Sequence, residues 1–192
     1  FIACNQPVSD AVSGPKTRFV HWIGSLPKGR LPFSLAMAAS LCYNEVLRKS
    51  GKGAECPMHV IVCLDDKEGM LFHGRRQSRD REVVGEILKR TQGRRLWMSP
   101  YSQPLFQGRM DGLLVDEGFL DKAAPGDFCF VEGAPLAPWK DKLESITLYR
   151  WNRHYPGDVF FDIDLKSGWT LSSRRDFSGH SHEKITEEVY LP

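Results

Sequence analysis

The run from His59 to Leu64, HVIVCL, constrains the fold more than any other part of the chain. A half-exposed strand alternates apolar and polar residues with period two, so a strand apolar at successive positions has to be covered on both faces. Val60 to Leu64 is such a run, and it ends in an acidic turn, Asp65 to Gly69. A chain holding it needs a central strand with further layers on either side. With 192 residues and 41% hydrophobic content there is enough apolar material for one sizeable core and an appendage.

The pattern after this strand is βαβ-like. Met70 to Phe72 reads as a short continuation, and Asp80 to Arg90 as a helix with Val83, Val84, Ile87 and Leu88 on its apolar stripe. Strands are expected at Leu96 to Met98, Gly112 to Val115, Asp127 to Glu132 and Ser145 to Trp151, with short helices at Ser102 to Phe106 and Glu117 to Ala123. The implied fold class is α/β, a mixed, mostly parallel sheet with helices on both faces.

Charge divides the chain. Residues 1 to 57 hold seven Lys and Arg against three Asp and Glu, which leaves 19 against 21 in residues 58 to 192. The basic balance therefore belongs to the first part, and a remainder at −2 carries no global bias towards nucleic acid. In the first part TRFVHWI, 17 to 23, reads as a strand and residues 32 to 49 as a helix, followed by the breaker GKGAECP. A strand begins one residue after Met58, so residues 1 to 57 are expected to be an N-terminal extension and residues 58 to 192 the domain.

Five cysteines, Cys4, Cys42, Cys56, Cys63 and Cys129, are an odd number without CxxC spacing, which points to reduced thiols in a cytoplasmic protein. Cys63 and Cys129 lie in apolar runs and read as small buried hydrophobes. No run of 18 apolar residues is present, so no membrane span is expected. KGR before LPFSLAMAASLC mimics a secretion signal but lies too deep and runs on into helical sequence.

Several segments in order resemble dihydrofolate reductase. Gly157, Asp158, Val159, Phe160 and Phe161, followed by Asp162, Asp164 and Trp169, are similar to the closing part of that family. Residues 59 to 74 resemble its first strand and loop, residues 94 to 102 its phosphate-gripping turn, and residues 127 to 153 a strand, glycine turn, short helix and strand. A nearer likeness is to small bacterial proteins sharing GMLF-x-x-RRQSRDR, YRWNR-x-YP-x-D and GHSHEKIT-x-EVY, some of which bear the name ribonuclease Z. Ribonucleases properly of that name hold paired zinc ions with His-x-His-x-Asp-His. This chain has His180-x-His182 without the rest, so no metal is assigned.

The resemblance implies a dihydrofolate-reductase-like fold and an NADPH-dependent oxidoreductase. By the same likeness Asp80 and Glu82 lie on the helix that carries the catalytic carboxylate, while Ser99, Ser102, Gly133 and Ala134 stand at the cofactor-binding places. This chain departs from the pattern at each of them. Val159 replaces the Thr that would bond the carboxylate, Pro100 removes a backbone donor, the phosphate turn has no cation, and Glu132 replaces a glycine. The same likeness makes EEVYL an antiparallel edge strand, while Ser178 or Ser181 alternatively caps a helix.

Read from the residues alone, Asp80 is a helix-start carboxylate favoured by the dipole, and Ser99-Pro100 an N-cap and first helical position. Arg75, Arg76, Arg79 and Arg81 offer a phosphate-binding run, against which stands local pairing with Asp80 and Glu82 on a solvated face. Tyr149, Trp151 and Tyr155 beside Arg150, Arg153 and His154 fit either base stacking or an alternating core strand. Cys42 to Arg48 fits Cys-x5-Arg but lies in helical sequence. The leading expectation is a divergent reductase-like or nucleotide-binding protein taking a small-molecule ligand, with Arg75, Arg76, Arg79 and Asp80 near the cleft. An RNA-binding or RNA-processing protein using the same arginines, and a non-catalytic ligand-binding module, are the alternatives.

Overall fold

The computed structural model describes residues 57–192 apart from 107 and 109–111. The readings placed on residues 1–56, including the strand at 17–23, the helix at 32–49 and Cys42, lie outside the described residues. Strand β1 (Met58–Leu64) is central, as its double-sided apolarity requires. It lies in a seven-stranded sheet with β4 (Leu96–Met98), β5 (Leu113–Val115), β6 (Phe128–Val131), β7 (Leu143–Arg150), β9 (Thr170–Phe177) and β10 (Ile185–Leu191). The order is β5-β4-β6-β1-β7-β10-β9. The first five are parallel to one another, and β10 runs antiparallel to both β7 and β9.

Alternation along the strands separates two cores. Val60, Val62 and Leu64 of β1 join Cys129, Val131, Ile146 and Leu148 on one face, under the four-residue helix α2 (Phe119–Lys122). Ile61 points the other way, with Phe130, Tyr149 and Trp151, against Val83 and Ile87 of helix α1 (Arg81–Arg90). Each fully buried Val, Leu or Ile contributes about 1.5–3 kcal/mol relative to exposure, so a polar residue at any of these β1 positions would be severe. A small second sheet, β3-β2-β8, pairs β2 (Gly69–Phe72) with β3 (Arg75–Arg76) and β8 (Val159–Phe160).

Several local expectations change. The short helix expected at Ser102 to Phe106 is of the 3-10 type, Gln103–Phe106, and Ser99 opens a turn in which Ser102 N–H donates to its carbonyl (3.0 Å). Two prolines, Pro100 and Pro104, remove amide donors that an α-helix would use there. The C-terminal segment is a strand, but an interior one: β10 is flanked by β7 and β9, and β9 takes the edge. Its two glutamates are buried and neutralised, Glu187 by Arg90 and Arg175, Glu188 by Arg150 at 2.6 Å and Arg174 at 3.6 Å. Consecutive glutamates look like a solvated edge in sequence, and only arginines from three other elements make them tolerable inside. The helix-ending Thr91 is tied to Ile87 O through both its N–H (3.0 Å) and its hydroxyl (2.9 Å).

Candidate functional site

The carboxyl ends of β4, β6, β1 and β7 lie at one end of the sheet. The chain leaves β1 towards β4 on one side, while β6 is followed by β7 on the other, so β1 and β6 border a switch in winding direction. Open α/β sheets bind ligands in the crevice outside such a point, because the loops diverge there. The loops concerned begin at Asp65, Ser99, Glu132 and Trp151. Buried Asp65 ties two of them together: it accepts from Lys67 N–H (2.8 Å), Gly69 N–H (2.7 Å) and, across the cleft base, Tyr155 N–H (3.0 Å). Burial pushes its pKa up, but these donors win and hold the carboxyl below its usual range.

Arg76 reaches from β3 to the loop that follows β4. Its backbone N–H donates to the Tyr101 hydroxyl (2.7 Å), its guanidinium donates to the Tyr101 carbonyl (2.9 Å) and lies 4.7 Å from the ring centroid. The same guanidinium is 3.4 Å from Glu132, whose carboxylate accepts from Ser102 Oγ at 2.7 Å. Burial pushes the Glu132 carboxyl up, and Ser102 and Arg76 reverse this only in part. The local turn lacks a cation, as its residues indicate, yet one is delivered from β3 by tertiary contact. Gly133 has φ near +80°, and a Cβ there would come within 2.3 Å of Leu71 Cδ1, so β2 is packed directly onto the glycine turn. Ala134 is part-buried against the adjoining core. Ser99 Oγ lies 3.5 Å from Ser102 Oγ. Arg76, Ser99 and Ser102 thus lie together at the Glu132–Gly133 turn, whereas Arg75 is exposed on the hairpin and Arg81 turns to Glu82 at 3.4 Å.

Asp80 lies deeper. It is the N-cap of α1 in extended conformation, and its Oδ1 accepts from Glu82 N–H (2.9 Å) and His180 N–H (2.9 Å). Its Oδ2 accepts from Ser181 N–H (2.8 Å), Ser181 Oγ (3.0 Å) and His182 Nδ1 (3.1 Å). All but the Glu82 donor come from the 179–182 loop, whereas Val159 packs against the other core. Gly179 allows this approach: a Cβ there would sit 2.5 Å from Asp80 Oδ2. Burial pushes the Asp80 pKa up, but donors from His180, Ser181, His182 and Glu82 outweigh it and hold the carboxyl well below the ordinary range. Such a group is an anion at neutral pH and a fixed anchor. Glu82, in the first turn of the helix, is exposed.

Sequence reasoning missed His182 as a member of this cluster. Its buried ring stacks on Trp151 (centroids 4.8 Å, 27°), and its Nε2 lies 3.0 Å from Ser78 Oγ and 3.2 Å from the Tyr155 hydroxyl. The signal was the glycine in Gly179-His-Ser-His182, which marks a close backbone approach. Position alone does not say to what. His180 is exposed, and among the described residues no three His, Cys, Asp or Glu side chains are grouped to hold a metal ion. A narrow recess of about 10 Å³ beside the cluster is lined by Ser78, Arg79, Asp80, Val83, Val84, Ile87, Leu105, Phe130, Glu132, Trp151 and Cys63. Cys63 and Cys129 are free thiols, both pushed up by burial, Cys129 to about 12. Among the described residues no helix is long and apolar enough to cross a membrane.

No family model matches the chain, and no curated protein matches it in sequence. Among solved structures, dihydrofolate reductase from Enterococcus faecalis complexed with NADP(H) and RAB-propyl is similar with a TM-score of 0.54 over 70% of this chain and 95% of that one, at 10% sequence identity. At that identity the likeness is one of fold: the described domain has a dihydrofolate-reductase-like α/β architecture.

Proposed function

We propose that the cleft at the carboxyl ends of β4, β6 and β1 binds a small phosphorylated ligand of the nucleotide class, in a divergent reductase-like or nucleotide-binding protein. The observation that carries this reading is the Arg76 guanidinium held over Tyr101 and Glu132 at the switch point. A cation stacked on an aromatic ring and paired with a half-satisfied carboxylate exchanges partners readily. A ligand phosphate presents more acceptor oxygens than Glu132, and its base or nicotinamide ring takes the place of the guanidinium on Tyr101. Arg75 and Arg79, both exposed, are further cations available to the phosphate. NADPH is the first ligand to test, since the structurally similar reductase is a complex with NADP(H).

In this reading Asp80 does not donate the proton of a reduction. A general acid has to be protonated near the working pH, and a carboxylate with five donors on its two oxygens is not. Asp80 instead keeps the start of α1 and the loop behind Arg79 in register. Gly133 and Ala134 form the floor of the mouth, and β2 has to move off Gly133 for a planar ring to lie against it.

The test is a thermal-shift and calorimetric series with NADPH, NADH, dihydrofolate and a short single-stranded RNA. Binding of NADPH at a thousandfold excess over Kd raises stability by about 4 kcal/mol. Arg76→Ala should weaken it about tenfold or more, as expected for one charge-assisted contact of roughly 1.5–3 kcal/mol. No shift with any nucleotide overturns the proposal. RNA binding that collapses with added salt would favour the RNA-binding reading, and dihydrofolate reduction lost in Asp80→Asn would restore Asp80 as proton donor.

A further inference from the structure

Ser78, His182 and Asp80 stand in a hydrogen-bonded line that the nucleotide reading does not use. Asp80 Oδ2 is 3.1 Å from His182 Nδ1, and His182 Nε2 is 3.0 Å from Ser78 Oγ. A hydroxyl nucleophile needs a base within hydrogen-bond reach and a third group that sets the base's tautomer and orientation. Both conditions are met here by contacts across about a hundred residues of chain.

The orientation is over-determined at the acid end. Asp80 is anchored by three backbone N–H donors, from Glu82, His180 and Ser181. An anionic carboxylate on Nδ1 keeps the ring proton on that nitrogen, which leaves the Nε2 lone pair facing Ser78. Stacking on Trp151 at 4.8 Å holds the ring plane. Anchoring α1 to the 179–182 loop is already accomplished by the backbone donors and Ser181, so a buried histidine bonded onward to a serine is surplus to that task. His182 is buried, whereas Ser78 is half-buried and lines the recess.

We propose that Ser78 is an activated nucleophile that transfers a short acyl group from an ester, with His182 as general base and Asp80 as the positioning residue of the histidine. The walls of the recess supply the specificity: Val83, Val84, Ile87, Leu105, Phe130 and Trp151 are apolar, and the space between them is narrow, about 10 Å³, so a short acyl chain enters only as these side chains move aside. Arg79 lines the same recess and is the cation beside which negative charge on the carbonyl oxygen develops.

Ser78 Oγ attacks the ester carbonyl carbon and its proton passes to His182 Nε2. The tetrahedral intermediate collapses, the ester C–O bond breaks, and the leaving alkoxide takes that proton and departs as an alcohol. Water then attacks the acyl-Ser78 carbonyl, giving its proton to His182, and the acid leaves as Ser78 Oγ recovers the proton. The sum is ester plus water to acid plus alcohol, with no other reactant. Tyr155 shares Nε2 at 3.2 Å and competes with Ser78 for the base.

The experiment uses the full chain with a fluorophosphonate probe, which phosphonylates activated serines, and maps the modified residue by mass spectrometry. Turnover of p-nitrophenyl butyrate is followed in parallel. Labelling should fall on Ser78 and vanish in Ser78→Ala, with burst release of p-nitrophenol lost in the same variant. His182→Gln should slow labelling about a hundredfold or more, the usual worth of a general base. Tyr155→Phe should speed it by freeing Nε2. Ser78→Cys provides a second readout that does not depend on the ester: its alkylation rate should keep a thiolate pH profile shifted to acid by the histidine. A folded wild-type protein that leaves Ser78 unlabelled, or labels it at the same rate in His182→Gln, overturns the proposal. Failure of nucleotide binding leaves these readouts unchanged, so the two readings fall separately.

Discussion

Replacing Gly179 with alanine tests the central arrangement with a single methyl group. An added Cβ would lie 2.5 Å from Asp80 Oδ2 and 2.6 Å from Ile185 Cδ1, distances at which something has to move. Neither neighbour is a free side-chain end, since Ile185 is fully buried and Asp80 is held by five donors. Overpacking of this type costs about 1–3 kcal/mol. Displacing the loop also lengthens the bonds from His180 and Ser181 N–H to a charged oxygen, each worth about 1.5–3 kcal/mol when lost. Partial loss of one, added to the clash, gives a destabilisation of about 3 kcal/mol. With a urea slope of about 2 kcal/mol/M the midpoint falls by about 1.5 M.

Gly85, in the middle of α1, is the control. Nothing lies within 4 Å of its Cβ position, so Gly85→Ala should stabilise by about 0.5–1 kcal/mol through helix propensity. The two glycine variants are therefore expected to move in opposite directions. The pH dependence adds a second check. The folded Asp80 pKa is depressed, so its contribution is fully present above the unfolded value near 3.8 and is lost as pH falls through the lower folded value. Gly179→Ala should shrink that acid-side loss. Urea melts placing Gly179→Ala within about 0.5 kcal/mol of the parent at pH 7, or an acid-side slope equal to the parent's, would refute the packing argument.

Glu132→Gln should loosen Arg76 from the cleft mouth and tighten NADPH about threefold or more if Glu132 is the competitor that a phosphate displaces, as measured by calorimetry. Cys129, whose thiol is pushed up to about 12 by burial, should resist alkylation at pH 8 until the protein unfolds, which peptide mapping across a urea series will read. A chain shortened to Met58–Pro192 should still unfold cooperatively, losing about 1 kcal/mol for the bond from Gly126 N–H to the Pro57 carbonyl; an absent transition would place residues 1 to 57 in the core. Arg150→Met should be strongly destabilising, by about 3–5 kcal/mol in a denaturant melt, because it strips buried Glu188 of its nearest partner.

What the sequence determined by itself was the part governed by local periodicity. Val60 to Leu64 had to be a central strand because both of its faces were apolar, and Arg81–Arg90 had to be a helix because its apolar residues recur every three or four places below an acidic cap. Those two signals, with the strands after them, carry the α/β class and the position of the cleft. The tertiary structure alone decided which polar residues meet there. It brought Arg76 of β3 to Tyr101 and Glu132, supplying a cation that the local turn lacks. It put β10 inside the sheet, because four arginines converge on Glu187 and Glu188. It joined Asp80 to His182 and Ser78 through a loop about a hundred residues away. Periodicity records how a side chain faces along its own element, whereas hydrogen-bond partners across the sheet are set by packing between elements, and a single sequence holds no trace of that distance.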